Sequence, residues 1–208
     1  MPAAPPPPAA PSVPSVTGAA PEPRLVAAPP AGPPPSGLRA LLRARLLVLR
    51  HRGRVRAARG AAVGPGVVVH VAPGALLLLG PGCAIGDGTR LHVAAGELRI
   101  GRGTVLGERC VARLLAGADV GPQCRLADEV VLADCGPVTS DVETPLRRQG
   151  LRAAPIAVGA GVRIGPRAVV LGGARIAAGV QVGAQLVVRG DVAADSPDLP
   201  ARPDAAPH

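Results

Sequence analysis

Phenylalanine, tyrosine and tryptophan are absent from this 208-residue chain, and so are lysine and asparagine. A hydrophobic core must therefore be made from Val, Leu, Ile and Ala. The narrow interior of a β-helix, filled by one small side chain per corner, accepts such a core, whereas a sandwich or an α/β domain usually needs aromatic volume. The chain also lacks any aromatic side chain to stack on a base and any recognised nucleic-acid motif, so we predict no nucleic-acid partner.

Cysteine is sparse, with four residues and no Cys-x-x-Cys pair or Cys/His spacing typical of a zinc site. We therefore predict no metal and no disulfide framework, which favours a reducing, cytoplasmic location. Cys83, Cys110 and Cys124 each follow an aliphatic repeat position by four residues, and we expect them to be buried thiols that act as small hydrophobes.

The clearest pattern in the chain is an aliphatic residue at every sixth position of its last third. It includes Val158, Ile164, Val170, Ile176, Val182 and Val188, and small or aliphatic residues recur four positions after each of them. A helix repeats near 3.6 residues and a flat strand near two, so a period of six fits neither. It fits short strands joined by tight corners and wound as an all-β parallel β-helix.

The same pattern divides the chain into four parts. Residues 1–36 form a Pro/Ala-rich tail that we expect to be disordered, without the basic start and apolar run of a signal peptide. Residues 37–60 are predicted to be a basic amphipathic helix that acts as a cap. Residues 61–192 carry the repeats, interrupted by a loop at 133–154, and residues 193–208 form a second disordered tail. A long loop in a strict solenoid is a natural place for function.

The basic segment holds eight arginines within some twenty residues, from Arg39 to Arg59, and no acidic residue lies between Glu22 and Asp87. Its leucines approximate a helical stripe: Leu38, Leu41, Leu42, Leu46 and Leu49. We favour a cap over the open first coil, which solenoids generally need. The alternative is contact with an anionic membrane surface through Arg39–Arg59, which would make the protein peripheral to a membrane.

The repeats resemble those of the hexapeptide-repeat acyltransferases, especially the sugar O-acetyltransferase branch typified by maltose acetyltransferase. The stretches that carry this resemblance are GDGTRL at 86–91, GELRIGRGTVLG at 96–107, DVETPLRRQG at 141–150 and the hexads from Pro155 to Val192. It implies a left-handed β-helix, a homotrimer with sites between adjacent prisms, and acetyl-CoA along the later coils. It also implies a loop histidine as general base, and no metal.

One departure bears on the site implied by this resemblance. Pro137 stands where the family has its histidine, and proline offers neither a base nor an amide hydrogen. Asp134 and Asp141 are the remaining catalytic candidates, although an unperturbed carboxylate is a poor base for a sugar hydroxyl. For the cofactor, the resemblance points to Gly183 and Ala184 beside the pantetheine arm and to Arg189 near the CoA phosphates.

Two functions follow from the sequence. The first is an acyl-CoA-dependent O-acyltransferase, acetyltransferase-like, that acts on a sugar or polysaccharide hydroxyl. The alternative is a degenerate β-helix without catalytic activity that serves as a binding or scaffold subunit.

Overall fold

The computed structural model describes residues 37–138 and 150–193, together with Pro35 and Arg148. Both predicted tails, apart from Pro35 and Ala193, lie outside the described residues, and so does Asp141 in the loop. The described chain is a left-handed parallel β-helix, preceded by one α-helix, and this confirms the predicted fold class. No helix among the described residues is long and apolar enough to cross a bilayer.

Three parallel sheets form the faces of the prism, and each coil contributes one short strand to each sheet. The first sheet contains β1 (Val55–Ala57), β4 (Leu76–Leu79), β7 (Glu97–Ile100), β10 (Ala118–Val120), β15 (Ile156–Val158), β18 (Arg175–Ile176) and β21 (Asp191–Val192). The second contains β2 (Ala62–Val63), β5 (Ala84–Ile85), β8 (Val105–Leu106), β11 (Arg125–Leu126), β16 (Arg163–Ile164) and β19 (Gln181–Val182). The third contains β3 (Val68–Val71), β6 (Arg90–Val93), β9 (Val111–Leu114), β12 (Val131–Ala133), β17 (Val169–Leu171) and β20 (Val187–Val188).

The six-residue period arises because each coil of the regular part uses three hexads. Ala157 pairs with Arg175, which lies 18 residues later. The predicted repeat positions from Val158 to Val188 are all buried, with at most 4% of any of them exposed. They stack on equivalent residues of neighbouring coils, as Leu126 pairs with Leu106 and Ile164 on the second sheet. The core is thus a set of stacked aliphatic columns.

Glycine at the corners allows the coils to approach closely. At Gly86 an added Cβ would collide with the backbone carbonyl of Gly107 in the next coil. The Gly86 amide donates to the carbonyl of Leu106 at 2.8 Å, so the two coils are held at backbone contact there. A side chain at this corner would have to push the coils apart.

The corner between the second and third sheets carries a charge ladder on three successive coils. The Glu129 carboxylate accepts from Arg167 Nε at 2.8 Å and lies 3.1 Å from Arg109 Nη2. Hydrogen bonds from Arg167 and Arg109 hold the pKa of the Glu129 carboxyl below its usual range. All three residues adopt a positive φ. Because the ladder is largely solvated, its contribution to stability is small.

The predicted boundary of the basic helix at residue 60 is wrong. The helix, α1, spans Leu38–Arg50, and the chain then turns through Arg52 and Gly53, both with positive φ. Val55 is fully buried and pairs with Leu77, so the first coil starts before residue 61. The positive-φ turn stops the helix while the arginine-rich composition continues, and composition alone could not locate that end.

The predicted cap is present, but the residues that make it differ from the leucine stripe. Ala40 and Ala44 are the buried residues of α1, and Leu47 and Val48 pack against the core. The five leucines of the predicted stripe are exposed. Ala40 and Ala44 let α1 lie close to the first coil, whereas the five leucines of the stripe stay exposed to solvent.

Candidate active site

The long insertion leaves the prism at the corner between the third and first sheets, after β12 and before β15. Its two ends pair as an antiparallel ribbon made of β13 (Cys135–Pro137) and β14 (Leu151–Ala153). The Val138 amide extends the pairing by donating to the Gly150 carbonyl at 3.2 Å. The base of the predicted loop is therefore an ordered ribbon that fixes where the insertion leaves the coil.

Asp134 lies at the base of this ribbon and is only 1% exposed. Its Oδ2 accepts from the backbone amides of Leu115, Ala116 and Gly117 at 2.9, 2.6 and 2.7 Å, and Oδ1 accepts from Leu115 at 2.8 Å. Its carbonyl also accepts from the amide of Ala154, at the exit of the insertion. These contacts give Asp134 a structural function: it caps the corner of the preceding coil and closes the base of the ribbon.

The catalytic assignment of Asp134 stays a prediction that none of these contacts supports. Its carboxylate is occupied by main-chain donors and is closed to solvent, whereas a general base must reach the proton that it removes. The signal that could have revealed the capping role is position. Asp134 directly follows the last strand before the insertion, beside the corner of the preceding coil, whose backbone amides need acceptors.

Pro137 is exposed and lies in β13 opposite Leu151. The described ribbon contains no histidine. His92 pairs with Arg113, and Arg113 pairs with Ala133, which directly precedes Asp134. At about 4.8 Å per strand, His92 therefore lies about 10 Å from the start of the insertion. His70 is one coil further away, and its ring stacks on that of His92 with centroids 4.9 Å apart.

The predicted cofactor residues lie at the two ends of one short strand. Gly183 and Ala184 form part of the corner before β20, and Arg189 follows β20 and is exposed. Between this corner and the preceding coil there is little room for side chains, because a Cβ on Gly165 would lie only 2.6 Å from the Ala184 amide nitrogen. Gly183 and Ala184 are both partly exposed, and because their side chains are small, their backbone is accessible to a ligand. An exposed guanidinium at the far end of the strand suits a phosphate. These residues fit a CoA arm lying against the last coils.

An open groove of about 470 Å³ lies on the outer face of the first sheet, at its C-terminal end. Asp119, Arg175 and Asp191 line it around Ala157, whose small side chain leaves space between the charged ones. Asp134, Gly183, Ala184 and Arg189, the predicted site residues that the structure describes, do not line this groove. It is a feature that the repeat pattern did not reveal, since outward-facing positions carry no periodic signal.

The four cysteines are unpaired thiols, and three of them, Cys83, Cys110 and Cys124, are buried as predicted. Burial raises the pKa of Cys83 and of Cys110 to about 11. Cys135, in β13, is partly exposed. Within residues 37–138 and 150–193, no three His, Cys, Asp or Glu side chains cluster closely enough to hold a metal ion.

Comparison with known proteins adds two relatives, while no protein-family model matches the chain. A stretch of 131 residues is 31% identical to the probable acetyltransferase Rv3034c of Mycobacterium tuberculosis. This match covers 62% of this chain and 44% of that protein. The chain thus matches less than half the length of this curated relative.

In fold, the chain is similar to a variant of AntD, an N-acyltransferase from Bacillus cereus solved with dTDP and coenzyme A. The TM-score is 0.50 at 11% identity, over 72% of this chain and 80% of that one. At this level of identity the likeness concerns the fold alone. The curated relative carries an acetyltransferase name, in agreement with the resemblance of the repeats to the hexapeptide-repeat acyltransferases.

Proposed function

We propose that this protein is an acyl-CoA-dependent acyltransferase whose acceptor is a sugar or polysaccharide hydroxyl. The observation that carries the proposal is the 31% identity with an acetyltransferase over 131 residues, a length that requires most of the coils. The shared fold with an N-acyltransferase crystallised with coenzyme A supports the choice of acyl donor.

The chemistry asked of the protein is modest. Acyl-CoA would supply an acyl thioester, so that the acceptor oxygen forms a bond to the acyl carbon as the carbon–sulfur bond breaks. The acceptor proton would pass through a base to the departing CoA thiolate, which leaves as the thiol. Gly183, Ala184 and Arg189 would bind the donor along the last coils. The ribbon of β13 and β14 would bring the insertion towards the acceptor. Asp141 is the acidic residue of that insertion that remains as a candidate to hold the proton.

The acceptor is the least constrained part of the proposal. The dTDP in the AntD complex belongs to that protein, but it makes nucleotide-linked sugars a sensible class to test here. Amino sugars belong in the same panel, because AntD transfers to nitrogen while the resemblance of this chain is to O-acetyltransferases.

We also propose that the working form is a homotrimer in the cytoplasm. A three-sided prism has flat faces that can pack side by side, and the clefts between copies would enclose ligands that a single prism only supports from one side. Unpaired thiols are consistent with a reducing compartment. Light scattering on the eluting protein would give the mass, and a monomeric mass would refute the trimer.

A second candidate function is a binding or scaffold subunit without catalytic activity. The observation that favours it is local: the Asp134 carboxylate is bound to three backbone amides, and it lies close to Pro137, the residue at which the resemblance places the base. A protein of this kind would retain the β-helix and its binding surfaces but would not catalyse acyl transfer.

The deciding experiment measures release of CoA thiol from acetyl-CoA with a panel of sugars, amino sugars and nucleotide-linked sugars. Acceptor-dependent release supports the transferase. If no acceptor works, the Pro137→His variant is tested on the same panel, with Leu151→His on the opposite strand as the matched control. Activity gained by the first variant alone indicates a transferase site that has lost its base. No release from either variant favours the scaffold.

A further inference from the structure

Helix α1 has two faces of different character. The face towards the first coil is formed by Ala40 and Ala44, which are 2% and 3% exposed. Leu47 and Val48 pack beside them against the core. This face already closes the open end of the solenoid, so the rest of the helix is not needed for the cap.

The opposite face consists of large apolar side chains in contact with solvent. Their exposed fractions are 73% for Leu38, 39% for Leu41, 48% for Leu42, 63% for Leu46 and 73% for Leu49. A helix that serves only as a cap normally turns its leucines inward and its polar residues outward. A contiguous group of exposed leucines is instead typical of a surface that meets something apolar.

The surroundings of these leucines are strongly cationic. Exposed arginines accompany them on α1 and on the segment that follows it: Arg39, Arg45, Arg50, Arg52, Arg56 and Arg59. No acidic residue occurs anywhere between Glu22 and Asp87 to offset them. A groove of about 730 Å³ runs between the helix and residues 57–61, and Arg45 and Arg59 line it together with Leu38, Leu41, Leu42 and Leu49.

This combination restricts the partner. A second copy of the chain would bring two arginine clusters together, and like charges at close range oppose association. A nucleic acid would neutralise the arginines but would leave the leucines in water. An anionic bilayer surface satisfies both, because the leucines enter the boundary between headgroups and acyl chains while guanidinium groups bind lipid phosphates.

We propose that α1 docks the protein on an anionic phospholipid surface, with Leu38, Leu42, Leu46 and Leu49 inserted and the surrounding arginines on the headgroups. With 13 residues, the helix is about 20 Å long and would lie in the plane of the interface. The proposal does not rest on the acyltransferase function, since a scaffold of the same fold would dock equally.

The test is flotation of the full chain with vesicles of phosphatidylcholine alone or mixed with phosphatidylglycerol. Binding is expected with the mixed vesicles only and should weaken as salt rises. The Leu42→Gln/Leu46→Gln/Leu49→Gln variant should lose about 1,000-fold in partitioning or more, since each leucine side chain is worth roughly 10-fold or more when buried. Val68→Gln/Val187→Gln, which removes exposed valines from the third sheet, is the matched control and should bind normally.

A second pair of variants distinguishes the effect of the arginines on this surface from the effect of the protein's total charge. Arg39→Gln/Arg45→Gln should weaken binding about 30-fold, at about 5-fold for each arginine. Arg102→Gln/Arg125→Gln removes the same charge from exposed positions elsewhere on the coils and should have little effect. Three results would overturn the proposal. They are equal losses of vesicle binding in the two arginine pairs, equal binding to both kinds of vesicle, and binding that survives replacement of the three leucines. Self-association that depends on these leucines without vesicle binding would overturn it as well.

Discussion

Replacing Asp134 with alanine tests the role that the structure gives this carboxylate. Truncation removes the acceptor of three backbone amides, and each unpaired donor costs about 1–3 kcal/mol where water is excluded. Leu115 and Ala116 are partly exposed, so water can serve their amides, whereas Gly117 is buried. We therefore expect Asp134→Ala to lower the free energy of unfolding by about 3–5 kcal/mol. For a domain of this size that corresponds to roughly 6–20 °C in Tm.

Asn is the informative second substitution at this position. Its single carbonyl oxygen can take the place of Oδ2, which accepts from all three amides, while its NH2 group faces only the Leu115 amide. We expect Asp134→Asn to cost about 1–2 kcal/mol, and Asp119→Ala, an exposed acidic residue, to stay within about 0.5 kcal/mol of the unmodified protein. Urea unfolding followed by far-ultraviolet circular dichroism measures all three.

The refuting result combines stability with activity. If Asp134→Ala unfolds within about 1 kcal/mol of the unmodified protein but abolishes acyl transfer, the carboxylate acts in catalysis and the capping role is wrong.

Three further predictions concern the coil. At pH 8 a thiol reagent should label Cys135 first, because the other three thiols are buried and the pKa of two of them is raised to about 11. All four thiols should react after unfolding. Fast labelling of a second thiol in the folded protein would contradict the burial. Gly86→Ala should lower the free energy of unfolding in urea by more than about 2 kcal/mol, because the added Cβ meets the backbone of the next coil. Gly82→Ala, with open space around the added Cβ, should lower it by only about 1 kcal/mol through backbone strain. Equal losses in the two variants would refute the close approach of the coils at Gly86. Because the pKa of Glu129 is lowered in the folded state, its stabilisation is present above its ordinary value of 4.5 and is lost as pH falls through the lowered value. Thermal unfolding of Glu129→Gln should therefore show a shallower loss of stability over that range, and an unchanged pH profile would count against the ladder.

The repeat positions could be predicted because a solenoid imposes the same packing on every coil. Val158, Ile164 and Val170 each face the interior for the same geometric reason, so their period appears directly in the sequence. The end of α1 and its orientation could not be predicted in this way. Leu42 and Leu46 follow a helical stripe whether that stripe faces the core or a bilayer, and periodicity does not distinguish the two.

The candidate site was less accessible to sequence reasoning because it depends on single residues in an irregular corner. The resemblance predicts that Pro137 occupies the position of the family's histidine, and both that correspondence and its meaning for activity stay predictions. The position of Asp134 after the last strand before the insertion could have suggested a capping role, but its partners at residues 115–117 lie one coil away and could not be identified from local sequence. The charged groove around Ala157 is formed by residues from four strands of one face and has no local signature.

The most direct test of the proposed function is titration of the full chain with acetyl-CoA by isothermal calorimetry. The proposal predicts saturable binding with a Kd between about 1 µM and 1 mM, the range usual for enzyme substrates. It also predicts that Arg189→Ala weakens binding by about 10-fold or more, as expected for loss of a charged contact, while Arg102→Ala does not. A folded protein that gives no saturable heat at millimolar acetyl-CoA would contradict the claim that these coils hold an acyl donor.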